Sequence, residues 1–590
     1  MKRTMILSLI MVIMFVQKNF GQSVGIGTNI PNNNALLELK SNNKGLLIPR
    51  TSTTTRNTIL GPKGLLIYDT ISSSFWFHTG NEWFEISYSG NSWTTNGNYG
   101  INPDLNFIGT LEPAPLVFKA NNIKVGKLQH DGPTFIGVDA GNVNTANSST
   151  GFGYHALFSN TTGIANTALG QGAMNANTTG GNNTAVGYSS LINNTEGSFN
   201  TAVGVSSLNN NSIGISNTAV GVSAMLNNIG GNSNTAVGAY ALTVSSFGVE
   251  NTAIGNRALY SSTSGRNNTA IGFESMTSNT TGPYNTAVGS HSLQKNTTGD
   301  QNTAVGYRSL LENTSGNLNT AIGLEALRYN TTGVQNSALG GYSLTLNTIG
   351  GRNSALGYTA LAVNEDGSYN VAVGNAALFN NTAGASNTAV GADALKSNTF
   401  ADHNTAIGYS ALWNKVLGVQ NTAIGSFAGS NKTSGHNNIM IGYNAQTPSN
   451  SANNQMRVGN TSIVYAGVEV AWSITSDRRA KQFIQSSELG LDFIKELNPV
   501  SYSRIGDDSN KKEFGFIAQE LEELLTKYGI TNTGFITKAD DGTYSVRYND
   551  LFAPIVRAIK DQQNIIQQQQ SQIDQLTKMV KQLMPDDSLK

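Results

Sequence analysis

The chain has no cysteine, only six histidines and 12 prolines in 590 residues, and charged side chains make up only 12% of it. Without cysteine there are no disulfides, no thiolate metal sites and no lipid-anchored cysteine. The few histidines are scattered, so no His-based metal cluster, and no cofactor, is expected. Lys plus Arg and Asp plus Glu each number 36, for zero net charge. Neither nucleic acid nor an acidic membrane surface is therefore implied as a partner. The charged share is about half that of an ordinary globular protein. Beyond the N-terminal segment no apolar run is long enough for a membrane helix.

That N-terminal segment reads as an export signal. Lys2 and Arg3 precede an apolar run from Met5 to Val16, and the stretch from Gln17 to Gln22 is where cleavage is expected. The alternative is a retained anchor, for which the run is short. The expected organisation is a signal peptide over 1–22, an N-terminal β module over 23–90, a transitional β segment over 91–148, a repeat stalk over 149–471 and a C-terminal domain over 472–584.

What the chain has in abundance is glycine, 64 residues of it, in a strict repeat. Asn302-Thr303-Ala304-Val305-Gly306 recurs every 17 residues from Asn166 to a degenerate copy at Asn438. Through the full copies position one is Asn, two is Thr or Ser except at Val371, three is Ala, and four is Val, Ile or Leu. Position five is Gly from Gly170 to Gly442, and position nine is Leu or Met from Met174 to Leu412, broken at Gly429. Position twelve is usually Asn, and position fifteen of the full copies is Gly except at Ala401. The frame is faintly visible earlier, at Gly153 and Leu157.

Two glycines per repeat make a helix improbable, because each costs about 1 kcal/mol against alanine there. Short extended pieces with turns at glycine fit better, with Asn tolerating left-handed geometry. One repeat is then one coil of a parallel β-solenoid, with coils stacked at about 4.8 Å. Positions four and nine are expected to form two apolar ladders, and Asn to stack on Asn along the axis. The thin core of one roll predicts several rolls packed side by side.

The Asn-Thr-Ala-Val/Ile-Gly repeat resembles the head repeats of trimeric autotransporter adhesins, which form trimers of parallel β-rolls. Those repeats are usually shorter, and the membrane barrel of that family has no counterpart here. The carboxylates of the stalk, among them Glu196, Glu274, Glu325, Glu365, Asp366 and Asp402, fall at different places in the frame. They read as solvated turn residues rather than a catalytic pair. The threonine ladder at position two resembles that of ice-binding solenoids, but its neighbour in sequence is Ala rather than a second Thr.

Upstream of the repeat, Gly45 to Arg50 and Gly64 to Asp69 are two similar apolar runs. Phe75 to His78 and Trp83 to Ile86 flank a turn containing Gly80. The segment resembles an N-terminal module of secreted bacterial fibre-like proteins, and Trp76 and Trp83 read as packing residues rather than sugar platforms.

At about residue 472 the periodicity ends and charge rises. Ser476-Asp477-Arg478-Arg479-Ala480-Lys481 is followed by Gly515 to Leu521, Tyr544 to Leu551, and Ala558-Ile559-Lys560. Together these look like the intramolecular chaperone domain of phage tail spikes and endosialidases, a self-cleaving serine peptidase family. The resemblance implies Ser476 as nucleophile and Lys481 as base, with cleavage between Thr475 and Ser476, once per chain. Asp477 and Arg478 match the motif and are expected to position the turn. Serine is a weak nucleophile until a base takes its proton, and lysine can do so only as the neutral amine, which burial favours.

Glu488 to Leu497 and Ala518 to Tyr528 read as amphipathic helices, with a hairpin turn at Asp540-Asp541-Gly542. The last helix carries Ile559, Ile566, Ile573 and Val580 at heptad spacing, with Ile555, Gln562, Gln569, Leu576 and Leu583 at the companion positions. That pattern, over 552–584, suits a trimeric coiled coil. The expected fold is therefore mainly β, a parallel β-roll with a C-terminal α+β chaperone domain. The expected protein is a secreted or surface homotrimeric, adhesin-like fibre whose partners are its own copies and a cell-surface glycan or protein. Two other readings are a phage-type tail fibre or spike that binds or degrades a host glycan, and a membrane-retained precursor that releases a fragment by self-cleavage.

Overall fold

The computed structural model describes residues 23–86, 102, 107–130, 132–414, 417–505 and 511–583. The expected signal peptide and most of the stretch that joins the N-terminal module to the stalk lie outside these residues. The chain forms two compact units, Met1–Gly109 and Thr110–Lys590.

In the first unit, Arg50–Thr51, Leu66–Asp69, Ser74–His78 and Trp83–Ile86 form a four-stranded sheet in that order. Its last two strands are the expected hairpin, with His78 opposite Trp83. The guanidinium of Arg56 lies 3.3 Å from the centre of the Trp76 ring and 3.3 Å from the carboxylate of buried Asp69. Burial works against that carboxylate. Bonds from the Thr53 hydroxyl and the Ser72 and Ile71 N–H groups, with the Arg56 charge, outweigh it and hold Asp69 below the usual range. Trp76 is thus a packing residue beneath a cation.

The second unit is mainly a β-solenoid. Twenty three-residue strands, from Thr134–Ile136 to Met456–Val458, pair in parallel, each with the next. The register never slips: Thr303 faces Thr320, Ala304 faces Ala321 and Val305 faces Ile322. At about 4.8 Å per strand the stack is on the order of 90 Å long. It extends beyond the clear repeats at its N-terminal end, since Thr150 pairs with both Thr134 and Thr167.

The start is plugged. Phe135 takes the inward place that Ala holds elsewhere and is buried, while Gly151 and Gly141 leave room for its ring. The antiparallel hairpin Leu116–Ala120 and Ile123–Leu128 covers the first coil. Near the other end, Gly429 interrupts the position-nine ladder because the Met440 methyl reaches to 2.7 Å of where its Cβ would stand. Met440 replaces Ala at position three, so the two changes compensate.

One expectation is reversed. Position four does not face the core. Successive strand residues point to opposite sides, so either Ala304 points inward or Thr303 and Val305 do together. It is Ala304, fully buried beside the Leu310 column, while position four faces solvent, with Ile322 38% and Leu356 47% exposed. The core is therefore Ala at three, Ala or Ser at eight and Leu or Met at nine.

A second expectation also changes. Left-handed backbone is not placed at the repeated Asn of positions one and twelve. Gly306 has φ +131°, but the other positive φ values of this coil fall on Arg308 (55°), Leu310 (50°) and Leu318 (59°). Each such residue costs roughly 1–2 kcal/mol, and burying one leucine contributes only about 2 kcal/mol. Apolar burial alone therefore cannot hold a coil.

Hydrogen bonds along the axis supply what is missing. Thr303 N donates to Asn319 O at 2.8 Å, Gly306 N to Val288 O at 2.8 Å and Leu310 N to Ala326 O at 3.0 Å. The buried Asn302 amide donates to Gly316 O at 2.8 Å, and its Oδ1 accepts from Asn319 N at 3.0 Å. Asn313 repeats the pattern at position twelve, donating to Asn296 Oδ1 at 2.7 Å and Gly316 O at 3.0 Å. Two asparagine ladders thus run through the rod.

The second ladder breaks where serine replaces asparagine, at Ser245 and Ser262. Asn228 Oδ1 and both serine hydroxyls are buried there without a partner. Restoring the amides with Ser245→Asn and Ser262→Asn is expected to stabilise the stalk by roughly 1–2 kcal/mol. A higher melting temperature by circular dichroism checks it, and an unchanged or lower one refutes it.

In the C-terminal region Leu491–Glu496 and Ala518–Lys527 are helical, Ile536–Lys538 and Tyr544–Val546 form the expected hairpin, and Phe552–Leu583 is one long helix. Leu489, Phe493, Leu521, Leu525 and Leu551 make its small core. No helix among the described residues is long and apolar enough to cross a membrane.

Candidate functional site

The site begins where the solenoid has ended. Asp477 caps a single 3₁₀ turn, Arg478–Ala480, its carboxylate accepting from Arg479 N at 2.8 Å. Lys481 N closes the turn on Arg478 O at 3.1 Å. This folding back of the chain brings together two side chains five residues apart. Lys481 Nζ lies 2.6 Å from Ser476 Oγ.

Asp477 pairs with Arg479 at 2.7 Å rather than with Arg478. The bond from the Arg479 guanidinium, followed by that from its N–H, holds the Asp477 carboxyl below the usual range, and the same bond raises Arg479. Arg479 was not singled out by the motif, yet its place two residues after an N-capping Asp is what lets it reach back. Thr475, Ser476 and Lys481 are all exposed in the single chain. So are the apolar side chains around them: Trp472 at 73%, Ile474 at 71% and Phe483 at 92%.

The remaining motifs meet further on. Tyr548 OH accepts from Phe516 N at 3.1 Å, and it stands where a Cβ on Gly515 would project, which requires glycine there. Leu491 N, at the start of its helix, donates to Asp561 Oδ2 on the long helix, and Arg557 pairs with the same carboxylate at 2.9 Å. On the same helix the heptad side chains Ile559, Ile566, Ile573 and Val580 are all about half exposed.

A contact that sequence reasoning missed joins this domain to the end of the stalk. Asp540 N donates to Pro448 O at 2.8 Å, and Asp540 Oδ2 accepts from Asn450 N at 2.7 Å. Nearby, Lys432 takes the place of the ladder asparagine and donates to Ala452 O at 2.8 Å and Ser449 O at 3.2 Å. Burial pushes the Lys432 ammonium down, with the Asp540 charge acting against it. Lys432 sits at position twelve, which was a usable signal; Asp540 reads only as part of a turn. Among the described residues no group of His, Cys, Asp and Glu is placed to hold a metal ion.

Two stretches of the chain match known families. Residues 25–98 match the family described as a phage tail like trimerisation region. Residues 476–530 match the family described as a chaperone of endosialidase, and the match starts at Ser476 itself. No curated protein matches the chain. The molecule is thus tail-fibre-like: an N-terminal stretch matching a trimerisation region, which supports self-association as a homotrimer, a β-solenoid, and a stretch matching a chaperone of endosialidase after the last coil.

Proposed function

We propose that this is a secreted or surface trimeric fibre whose C-terminal domain aligns three chains and then frees the stalk by cutting the Thr475–Ser476 bond. The observation that carries this reading is the 2.6 Å contact of Lys481 Nζ with Ser476 Oγ at the first residue of the chaperone match. In the reaction Lys481, as the neutral amine, takes the Ser476 hydroxyl proton, and Oγ attacks the Thr475 carbonyl carbon. The amide bond then breaks as Lys481 passes that proton to its nitrogen, which becomes the free amine of Ser476, and water hydrolyses the ester. Each chain acts once.

Trimer formation supplies what the single chain lacks. Trp472, Ile474 and Phe483 are left in water beside the dyad, and burying them between chains would also favour the neutral lysine. Val468, Val470, Trp472 and Ile474 alternate as in a half-buried strand, yet none lies in a strand of the single chain. The Ile559, Ile566, Ile573 and Val580 face of the long helix fits a coiled coil.

The logic of such a clamp is register. Every coil of the stalk resembles its neighbours, so three chains have many wrong alignments available. A domain that trimerises first fixes the right one, and its removal afterwards makes unfolding hard to reverse. The match of residues 25–98 also favours a second reading, a tail fibre that holds a host glycan. Against it, Lys2, Arg3 and the run from Met5 to Val16 have the form of an export signal, and phage fibres assemble in the cytoplasm.

Expression of the wild-type chain, followed by sedimentation and mass spectrometry, tests the proposal. The expected result is a trimeric stalk ending at Thr475 and a released domain beginning at Ser476. Uncut trimers would remove the cleavage and leave the chaperone; a monomer would remove both.

A further inference from the structure

The outward side of the strands differs from every other side of the rod. It presents positions two, four and six of each coil. From Thr150 to Tyr443 these positions carry not one Lys, Arg, Asp or Glu. Position four is Val, Ile or Leu in every coil from Leu169 to Ile441, with Phe152 before them. The charged side chains lie elsewhere, many on the turns, as in the Arg257–Glu274 and Arg308–Glu325 pairs at position seven.

Other exposed apolar residues, such as Phe247, Ile349 and Phe400 at position fourteen, share their column with Glu196 and Asp366. The position-four column alone is unbroken, and its members are accessible: Leu169 48%, Ile271 37%, Ile322 38%, Leu356 47% and Ile424 40%. A strip roughly 80 Å long and one branched side chain wide already reaches the few hundred Å² of contiguous apolar surface that monomers rarely exceed. Strand propensity explains a branched residue here and there, but it does not exclude charge from a whole face.

We infer that this face packs against the same face of two further copies, so that position four lines the axis of a parallel, in-register stalk trimer. The inference rests on the homotrimer reading and adds which side of the solenoid is inside. The occupant is a copy of this chain because residues 25–98 match a trimerisation region, which holds identical chains together. Side-by-side packing also buries apolar surface that one narrow coil, with Ala304 and Leu310 as its core, cannot bury. Threonine at position two flanks the column on the same side, giving a flat strip with hydroxyls at its edge.

The absence of cysteine makes the test direct, since an introduced thiol is the only one present. Ile271→Cys, Val305→Cys and Leu356→Cys are made singly in the full chain, beside Phe247→Cys, Ile349→Cys and Phe400→Cys, and treated with a short bismaleimide. Identical residues meet only near the axis of an in-register trimer. The position-four variants are expected to give a covalently joined pair and one single chain from each trimer on denaturing gels, and the position-fourteen variants single chains alone. Sedimentation of the same samples separates the two ways of failing. A trimer that joins at position fourteen, or at neither, overturns the inference and leaves the trimer. A monomer overturns both, and a monomer with thermal hysteresis would assign the flat Thr and Val strip to ice instead.

Discussion

Ser476→Ala is expected to leave an intact chain where the wild type yields two fragments, with cleavage reduced on the order of 10⁴-fold or more. The substitution removes one atom, the Oγ that lies 2.6 Å from Lys481 Nζ, and no other group at the turn is positioned as nucleophile. Asp477, the carboxylate of the turn, is committed to Arg479, and that pairing holds the turn rather than activating anything. The turn itself should persist, because Asp477 and the Arg478 carbonyl make its bonds. A companion variant separates nucleophile from base. Lys481→Arg keeps a cation within reach of Ser476, but a guanidinium does not lose its proton in proteins, so it cannot act as the base. It should therefore also stay uncut, while sedimenting as the same trimer as Ser476→Ala. The fragment masses decide: a domain released from the Ser476→Ala chain by a break directly after Thr475 would show that the dyad does not make the cut.

The contact of Ser476 with Lys481, which the resemblance to the chaperone family suggests, is local. Ser476 and Lys481 are five residues apart, and one capped turn is enough to join them. The period, the turn glycine and the leucine column of the stalk were legible because each repeats in every coil. What the repeat conceals is which side of a three-residue strand is inside. Thr303, Ala304 and Val305 give one alternation and no second strand to check it against, and larger apolar residues are the usual candidates for a core. The structure chooses Ala because Leu310 already fills the interior, so only a methyl fits beside it. The left-handed leucine at position nine was hidden as well. Propensity places such backbone at Gly or Asn, whereas here the stacking bonds on both sides of Leu310 hold it in place. The Asp540 contact with Pro448 and Asn450 joins residues about ninety apart, and no pattern in the chain announces it.

Gly306→Ala is expected to destabilise the stalk by about 3–5 kcal/mol, more than any other single-methyl change in a coil. Two effects add. The backbone at Gly306 has φ +131°, a conformation that residues with a Cβ rarely adopt. The new methyl would also stand 2.7 Å from the carbonyl carbon of Gly323, which is backbone of the next coil and cannot swing aside. Gly316→Ala is the control within the same coil. It adds the same methyl without positive φ, and that methyl too would meet backbone of the next coil, the carbonyl oxygen of Gly333, beside the Asn313 and Asn330 side chains, so the two variants differ chiefly in φ. The chain already carries that change at Ala401, whose carbonyl still accepts from Asn387 at 2.8 Å and Asn398 at 3.0 Å. Gly316→Ala should therefore cost about 1 kcal/mol. Each coil contacts only its neighbours, so a broken coil at Gly306 divides the rod into two cooperative blocks. Hydrogen exchange should then show fast amides at Gly306 and Gly323 with protected strands on either side, and thermal unfolding should become two-stepped. Equal effects of the two substitutions would mean that the turn glycine serves only to save space, and that the left-handed geometry at position five is not what sets the coil.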